Sequence, residues 1–277
     1  MPNKILNGKT LAEKFLKKIH RQVSKMTGPP GLAAILVGDD PASTLYVKLK
    51  KEACDKCGIH FHSYLFDKNC SEEEIIKSIE FLNQDPETHG ILVQLPLPKK
   101  FNTEKIISSI DYRKDIDGFH PKNRANMKKC VYKVMPPLPQ GIIELVNSAK
   151  IKIENKNIVI LCNHKIFSQP FICVWGDKNK ITTVTLKEKN WQQDVAKADL
   201  LIVCVGQANL ITENLIKKNA IVIDVGINKI NDKVVGDVDL KNVLDKVSFI
   251  SPVPGGVGPM TIAMLLQNLV KIKEFLK

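Results

Sequence analysis

The chain has 277 residues, of which 44% are hydrophobic and 25% are charged. This length is enough for two α/β domains with a sizeable core, and the composition is ordinary for a globular protein. The net charge is +12, but the basic residues are nearly all scattered lysines and aromatic residues make up only 6%. We therefore expect no nucleic-acid partner. No apolar run reaches membrane-spanning length, so we expect no membrane partner either.

The N-terminus and the cysteines argue against secretion and against a metal site. Residues 1–8 contain no apolar signal core and run straight into a helical pattern, which predicts a cytoplasmic protein. The seven cysteines are spread widely, and Cys54 and Cys57 form the only close pair. No second pair completes a zinc site, so we predict no metal.

Apolar runs and amphipathic segments alternate along the chain, which predicts a doubly wound α/β architecture with parallel sheets. A helix is predicted at 11–25, a second helix follows the capping-box sequence of Ser71 and Glu74, and a last helix is predicted at 260–275. The predicted buried strands are 32–38, 90–95, 158–161, 182–186, 200–206 and 220–226. The proline-rich segment 136–141 is the best candidate for a domain boundary.

Tyr46 and Lys50 are four residues apart on a predicted helix and therefore share a face. Such a pair at the carboxyl end of a strand could stack on an aromatic substrate and transfer a proton. From the spacing alone, a solvated lysine on a lysine-rich helix is a better interpretation than a functional pair.

Two further polar residues are candidates for the site, one in an apolar run and one in a turn. Gln94 lies in the apolar run 90–95, where a buried amide needs either a structural partner or a substrate. Asp117 lies in the turn 114–121 and could accept two hydrogen bonds from an amino-pyrimidine edge. An Asx turn is the alternative. The segment 255–258 has three glycines, which allow close approach to a flat ligand, and it leads directly into the last helix.

These segments together resemble the bifunctional methylenetetrahydrofolate dehydrogenase/methenyltetrahydrofolate cyclohydrolase family over nearly the whole chain. The stretch from Pro252 to Thr261 is close to diagnostic. The other segments that carry the resemblance are 37–43 with Tyr46 and Lys50, 90–98, 114–121, 222–228 and 235–238.

The resemblance implies a parallel-sheet folate-binding domain at 1–138, with the C-terminal helix 256–277 packing back on it. It implies a Rossmann-like nucleotide-binding domain at 139–255. Lys50 matches the catalytic lysine, Gln94 the glutamine that hydrogen-bonds it, Tyr46 the tyrosine that stacks on the substrate, and Asp117 the aspartate that holds the pterin edge. The full set of implied substrate-binding residues is Ser43, Tyr46, Val93, Leu95, Pro96, Asp117, Pro254, Gly255, Gly256, Gly258 and Pro259.

The chain departs from the family pattern on the nucleotide side. The family's Gly-Arg-Ser-x-x-Val-Gly-x-Pro is replaced by the sequence 162–170, which lacks both glycines and has Asn163 and His164 at the positions of the family's arginine and serine. His164, Lys187 or Lys189 could replace the phosphate contacts, or Glu188 could hold a ribose diol so that NAD is used. The implied cofactor is NADP, and the implied cofactor-binding residues are Cys162, Asn163, His164, Ser168, Gly206 and Ile227.

We therefore predict a methenyltetrahydrofolate cyclohydrolase of the bifunctional family, acting in one-carbon metabolism and purine biosynthesis. The resemblance implies a homodimer and a tetrahydrofolate substrate, with or without a polyglutamate tail. The alternatives are a cyclohydrolase that has lost the NADP-dependent dehydrogenase and a non-catalytic folate-binding subunit.

Overall fold

The computed structural model describes residues 4–276, which form two compact units. The three-stranded unit comprises Glu13–Pro137 and the chain from Ile262 onward, and the five-stranded unit comprises Leu138–Thr261 and the N-terminal residues as far as Ala12. Part of the segment 1–8 and the last residue of the segment 256–277 lie outside the described residues. Within residues 4–276, no helix is long and apolar enough to cross a membrane.

Ten helices and ten strands are found in the described part of the chain. The helices are α1 Gly8–Val23, α2 Pro41–Cys57, α3 Glu72–Gln84, α4 Thr103–Ser108, α5 Pro121–Lys128, α6 Pro137–Ser148, α7 Gln169–Trp175, α8 Trp191–Val195, α9 Leu240–Val243 and α10 Val257–Phe275. The strands are β1 Gly31–Val37, β2 His60–Phe66, β3 Gly90–Val93, β4 Asn157–Cys162, β5 Lys180–Val184, β6 Leu200–Cys204, β7 Ile221–Asp224, β8 Asn228–Ile230, β9 Lys233–Val235 and β10 Phe249–Ile250. Short 3₁₀ turns lie at Lys165–Ser168, Gly176–Lys178 and Glu213–Leu215.

The three-stranded unit has a parallel sheet in the order β2–β1–β3. All seven residues of β1 are buried, as expected for a central strand that is covered on both faces. Leu265, Leu266 and Leu269 of α10 belong to the hydrophobic core of this unit. The chain segment after Asp111 also pairs with β3, because Ile91 and Asp115 form a parallel bridge.

The five-stranded unit has a fully parallel sheet in the order β10–β7–β6–β4–β5. Strand β4 has β5 on one side and β6 on the other, so the chain reverses its direction of winding at β4. In open α/β sheets, ligands bind outside the carboxyl ends of the strands at such a switch point. Cys162 and Cys204 are register partners at that end of β4 and β6.

Candidate active site and nucleotide site

Helix α2 places Lys50 on a buried face. The helix begins directly after β1, where the Asp40 side chain accepts a hydrogen bond of 2.8 Å from the backbone N–H of Ser43 and caps the first turn. Ser43, Val47 and Lys50 follow one another at helical spacing and are all buried. Lys50 is only 9% exposed, so it is not the solvated lysine that its spacing alone favours.

Gln94 follows β3 and fixes the position of the Lys50 amine. Its backbone N–H donates to the carbonyl of Ile35 at 2.8 Å, which extends the pairing of β3 with β1 by one residue. Its Oε1 accepts a hydrogen bond of 2.8 Å from Lys50 Nζ, and its Nε2 donates to the Leu95 carbonyl at 2.9 Å. The Gln94 amide is partly buried and has protein partners, and one of them is the candidate catalytic lysine.

Asp115, rather than Asp117, forms the turn beside this pair. The Asp115 carboxylate accepts hydrogen bonds from the backbone N–H groups of Gly118 and His120 at 3.1 and 2.8 Å, and from Asn123 Nδ2 at 2.9 Å. Asp117 accepts no hydrogen bond from the described residues. Its carboxylate thus remains available for a ligand, and the Asx-turn alternative applies to its neighbour.

Burial and the attraction between opposite charges shift the pKa values of Lys50 and Asp117 in opposite directions. Withdrawal from water lowers the pKa of Lys50, and the negative charge of Asp117 opposes that shift. Withdrawal from water raises the pKa of Asp117 to about 6, and the positive charge of Lys50 opposes that shift. Burial also raises the pKa of Tyr46, which lies one turn before Lys50. The site therefore holds an amine and a carboxylate that both exchange protons more readily near neutral pH than their solvated counterparts do.

The remaining predicted folate contacts of this unit lie next to the Lys50–Gln94 pair in the chain. Ser43 and Val93 are buried, Leu95 is partly buried and Pro96 is exposed. The Leu95–Pro96 peptide bond is cis. Contact of these residues with a substrate stays a prediction.

The predicted glycine loop belongs to the five-stranded unit and leads into α10. Gly255 has a φ of +99° and a Cβ there would meet nothing within 4 Å, whereas a Cβ at Gly256 would lie 2.5 Å from the Pro252 carbonyl oxygen. The backbone N–H of Lys9 donates to the Gly255 carbonyl at 3.0 Å. Gly256 is therefore required by packing, and Gly255 leaves open space. That Pro254, Gly255, Gly256, Gly258 and Pro259 line a folate pocket stays a prediction.

The altered segment after β4 accommodates its new side chains inside the protein. Cys162 and Ser168, which replace the two glycines, are 1% and 3% exposed. The Cys162 thiol donates to the His164 carbonyl at 3.4 Å, and the Ser168 hydroxyl donates to the Lys165 carbonyl at 2.7 Å. Asn163 and His164 are exposed at the carboxyl end of β4. The side chains of Cys162 and Ser168 are therefore buried, and they do not cover the exposed surface of this turn.

The loop after β6 has open space beside its backbone. Gly206 has a φ of +72° and open space where a Cβ would lie. Ile227, the other predicted contact, is 55% exposed. Together with the polar Asn163 and His164, these features fit the approach of a dinucleotide to the switch point.

Two buried aspartates that hold this region together were not among the predicted site residues. Asp237 accepts hydrogen bonds from the backbone N–H groups of Val205, Gly206 and Gln207 at 2.8, 3.0 and 2.8 Å. Asp224 accepts from the backbone N–H groups of Gly226 and Asp237, at 3.0 and 2.9 Å. Both lie in segments that carry the family resemblance, which was the signal that could have found them. Burial raises the pKa of Asp224 to about 6.

Among residues 4–276, no group of three or more histidine, cysteine or acidic side chains could hold a metal ion. The five cysteines found free there are Cys54, Cys57, Cys70, Cys162 and Cys204. Burial raises the pKa of Cys54 above its usual range and that of Cys57 to about 11, so the close pair of cysteines consists of unreactive thiols.

The two units thus combine an amine–amide–carboxylate site with a Rossmann-like sheet, which is the architecture of a two-domain α/β enzyme. Two family models match the chain: tetrahydrofolate dehydrogenase/cyclohydrolase, catalytic domain, at residues 6–117, and tetrahydrofolate dehydrogenase/cyclohydrolase, NAD(P)-binding domain, at residues 136–276. The chain therefore belongs to the tetrahydrofolate dehydrogenase/cyclohydrolase family.

Curated relatives and solved structures agree with this assignment. The bifunctional protein FolD of Nautilia profundicola is 42% identical over 99% of this chain and 98% of its own length. The crystal structure of the bifunctional enzyme FolD from Campylobacter jejuni has a TM-score of 0.94 and 40% identity, with 99% of each chain covered. The Trypanosoma brucei enzyme, solved in complex with NADP cofactor and inhibitor, has a TM-score of 0.93 and 28% identity, with 99% of each chain covered.

The predicted family and the predicted two-domain α/β class with a Rossmann-like domain are confirmed by these matches. The main functional prediction, an enzyme of the bifunctional family with cyclohydrolase activity, is also confirmed at this level. Nothing in the matches or in the structure favours the two alternatives, a cyclohydrolase without the dehydrogenase or a non-catalytic subunit.

Proposed function

We propose that this chain catalyses both reactions of its family on a tetrahydrofolate substrate. In the first, methylenetetrahydrofolate is oxidised to the methenyl form by transfer of a hydride to NADP. In the second, water opens the methenyl bridge to give 10-formyltetrahydrofolate. The observation that carries the proposal is the hydrogen bond from Lys50 Nζ to Gln94 Oε1, near the carboxylate of Asp117, which accepts no hydrogen bond from the described residues.

Lys50 can move the protons of the hydrolysis. Because burial lowers its pKa, its amine can take a proton from a water molecule as the water oxygen attacks the electrophilic methenyl carbon. The bond from that carbon to N5 then breaks, and Lys50 returns the proton to N5. The hydroxyl proton leaves as the formyl carbonyl forms, so the reaction releases one proton overall. Gln94 keeps the lysine amine in place through these steps.

The other residues of the site bind and orient the folate. Asp117, when ionised, can accept hydrogen bonds from the N–H groups of the pterin edge, and Tyr46 can stack against the aminobenzoyl ring. NADP supplies the hydride acceptor when it is bound. Asn163, His164 and the open backbone at Gly206 are the groups of this chain that would contact it.

The test replaces the lysine and an adjacent lysine in parallel. Lys50→Met should abolish hydrolysis of the methenyl bridge without loss of folding, whereas Lys51→Met, one residue further on an exposed position, should leave the rate unchanged. Rates are measured from the loss of methenyl absorbance, and folding is checked by circular dichroism. Turnover by a folded Lys50→Met enzyme would remove Lys50 from the mechanism.

A homodimer and a cytoplasmic location complete the proposal. The family resemblance implies a dimer formed through the nucleotide-binding domains. Exposed apolar side chains on the β8–β9 hairpin of the five-stranded unit support it: Ile230 and Val234, on the two faces of the hairpin, are 41% and 44% exposed.

A further inference from the structure

Lys165 and Glu188 join the carboxyl ends of two neighbouring strands in the five-stranded unit. Lys165 begins the 3₁₀ turn after β4, and Glu188 lies four residues beyond the end of β5. Lys165 Nζ lies 3.4 Å from Glu188 Oε1. The two strands are adjacent and parallel, so this ion pair spans the edge at which a dinucleotide would bind.

Glu188 is itself held firmly by its own loop. Its Oε1 accepts hydrogen bonds from the backbone N–H and the hydroxyl of Thr185 at 2.9 and 3.1 Å. Those bonds, and the ion pair with Lys165, hold the pKa of the Glu188 carboxyl below its usual range. The oxygen that faces Lys165 is therefore charged and already occupied. This geometry suits an anchor for the lysine better than a two-oxygen acceptor for a ribose diol.

The position of the pair determines which part of a dinucleotide it would meet. In Rossmann-like domains, the turn after the first strand approaches the pyrophosphate, and the region after the second strand approaches the adenosine ribose. An acidic residue in that second region favours a free 2′-hydroxyl, and a cationic side chain accommodates a 2′-phosphate. In this chain the first strand is β4 and the second is β5. The acidic residue after β5 is Glu188, and Lys165 lies beside it.

We propose, resting on the nucleotide-binding half of the proposed function, that Lys165 binds the ribose 2′-phosphate of NADP and that Glu188 is its positioning residue. The Lys165 side chain is 63% exposed, so its ammonium can contact a ligand without breaking a buried structure. A lysine binds phosphate as a point charge. Lys187 and Lys189 are exposed in the same loop as Glu188 and make the surroundings positive.

The test measures binding of two cofactor fragments, adenosine 2′,5′-bisphosphate and adenosine 5′-diphosphate, by titration calorimetry. The wild-type protein should bind the 2′-phosphorylated fragment more tightly. Lys165→Met should reduce that preference by about tenfold and leave the affinity for the 5′-diphosphate unchanged, as expected for loss of one charge-assisted contact. The matched control is Lys178→Met, which breaks an exposed 2.9 Å ion pair with Glu154 at the amino end of β5.

The Glu188→Gln variant distinguishes two roles for Glu188, positioning Lys165 and contacting the ribose itself. If Glu188 only positions Lys165, the variant should bind the 5′-diphosphate as the wild type does. Weaker 5′-diphosphate binding by Glu188→Gln would overturn the assignment, because Glu188 would then contact the ribose itself. An unchanged 2′-phosphate preference in Lys165→Met would overturn it as well. A wild-type protein that binds neither fragment would instead overturn the nucleotide-binding half of the proposed function, and hydrolysis of the methenyl bridge would still report on the other half.

Discussion

Asp117 lies in an environment that disfavours its charge. Its pKa is raised from 3.8 to about 6, mainly by withdrawal from water, and it accepts no hydrogen bond from the described residues. A folate that donates N–H groups to this carboxylate would repay the cost of ionising it. In the proposed function, Asp117 would therefore contribute to binding at the expense of stability, as functional residues often do.

Asp117→Asn should stabilise the protein at neutral pH and weaken the binding of folate. The folded protein holds a proton that the unfolded chain has lost between pH 3.8 and about 6. Its stability therefore falls as the pH rises through this window, and the full penalty remains above it. The pKa difference corresponds to an increase of up to about 3 kcal/mol in the free energy of unfolding of the variant. Urea unfolding at neutral pH and below about pH 4, where the gain should vanish, measures this effect.

The neighbouring Asp115→Asn variant is the control, because Asp115 accepts three hydrogen bonds and its replacement should destabilise the protein. A free energy of unfolding for Asp117→Asn equal to that of the wild type at neutral pH would contradict the raised pKa. An unchanged KM for folate in that variant would remove Asp117 from the binding site.

At the scale of elements, helix α10 supports the turn that carries Asp117. Asn268 is fully buried in this helix, and its Nδ2 donates to the carbonyls of Ile116 and Met135 at 3.0 and 2.8 Å. Its Oδ1 has no hydrogen-bond partner among the residues that the structure describes. One side chain of the C-terminal helix thus fixes the residue directly before Asp117.

Asn268→Leu should destabilise the protein by about 2–4 kcal/mol, because two buried carbonyl groups lose their donor. The loosened turn should also raise the KM for folate more than it lowers kcat, since Lys50 and Gln94 do not depend on α10 for their hydrogen bond. Thermal unfolding and steady-state kinetics measure the two effects. Gln267→Leu, on a partly exposed position of the same helix, should change neither quantity appreciably. A loss of kcat alone would contradict a positioning role.

At the scale of the whole molecule, the β8–β9 hairpin is the feature that bears on assembly. Asn231 and Asp232 form its tight turn with positive φ angles of 46° and 62°, which suits the right-handed twist of the two strands. The hairpin is antiparallel and pairs with no other strand in the described residues. Its exposed apolar side chains would be covered in the proposed dimer.

Val234→Glu should therefore shift the protein toward monomers, because the charge would have to be buried in the dimer. Sedimentation velocity over a range of protein concentrations measures the distribution. Val131→Glu places the same charge on another exposed valine, in the three-stranded unit, and should leave the distribution unchanged. Dimers of equal stability in Val234→Glu and wild type would show that the hairpin is not the contact.

The sequence by itself determined the class of the fold and supplied the candidate site residues. Central strands such as β1 and β3 are continuous apolar runs, so consecutive residues reveal them. Strand β2 was missed because it lies at the edge of its sheet, where His60 and Ser63 are exposed and interrupt the pattern. Lys50, Gln94 and Asp117 were recognised through their motifs, although spacing alone did not distinguish Lys50 from a surface lysine.

Only the tertiary structure decided how those residues act on one another. The Lys50–Gln94 bond joins positions 44 residues apart, and Asp115 rather than Asp117 forms the turn. Lys165 was not among the residues considered for the phosphate. Its ion pair with Glu188 joins loops that follow two different strands, so no pattern of neighbouring residues reveals it. Local preferences and periodicity are properties of neighbouring residues, whereas contacts between distant side chains depend on strand register and packing, which no local pattern specifies.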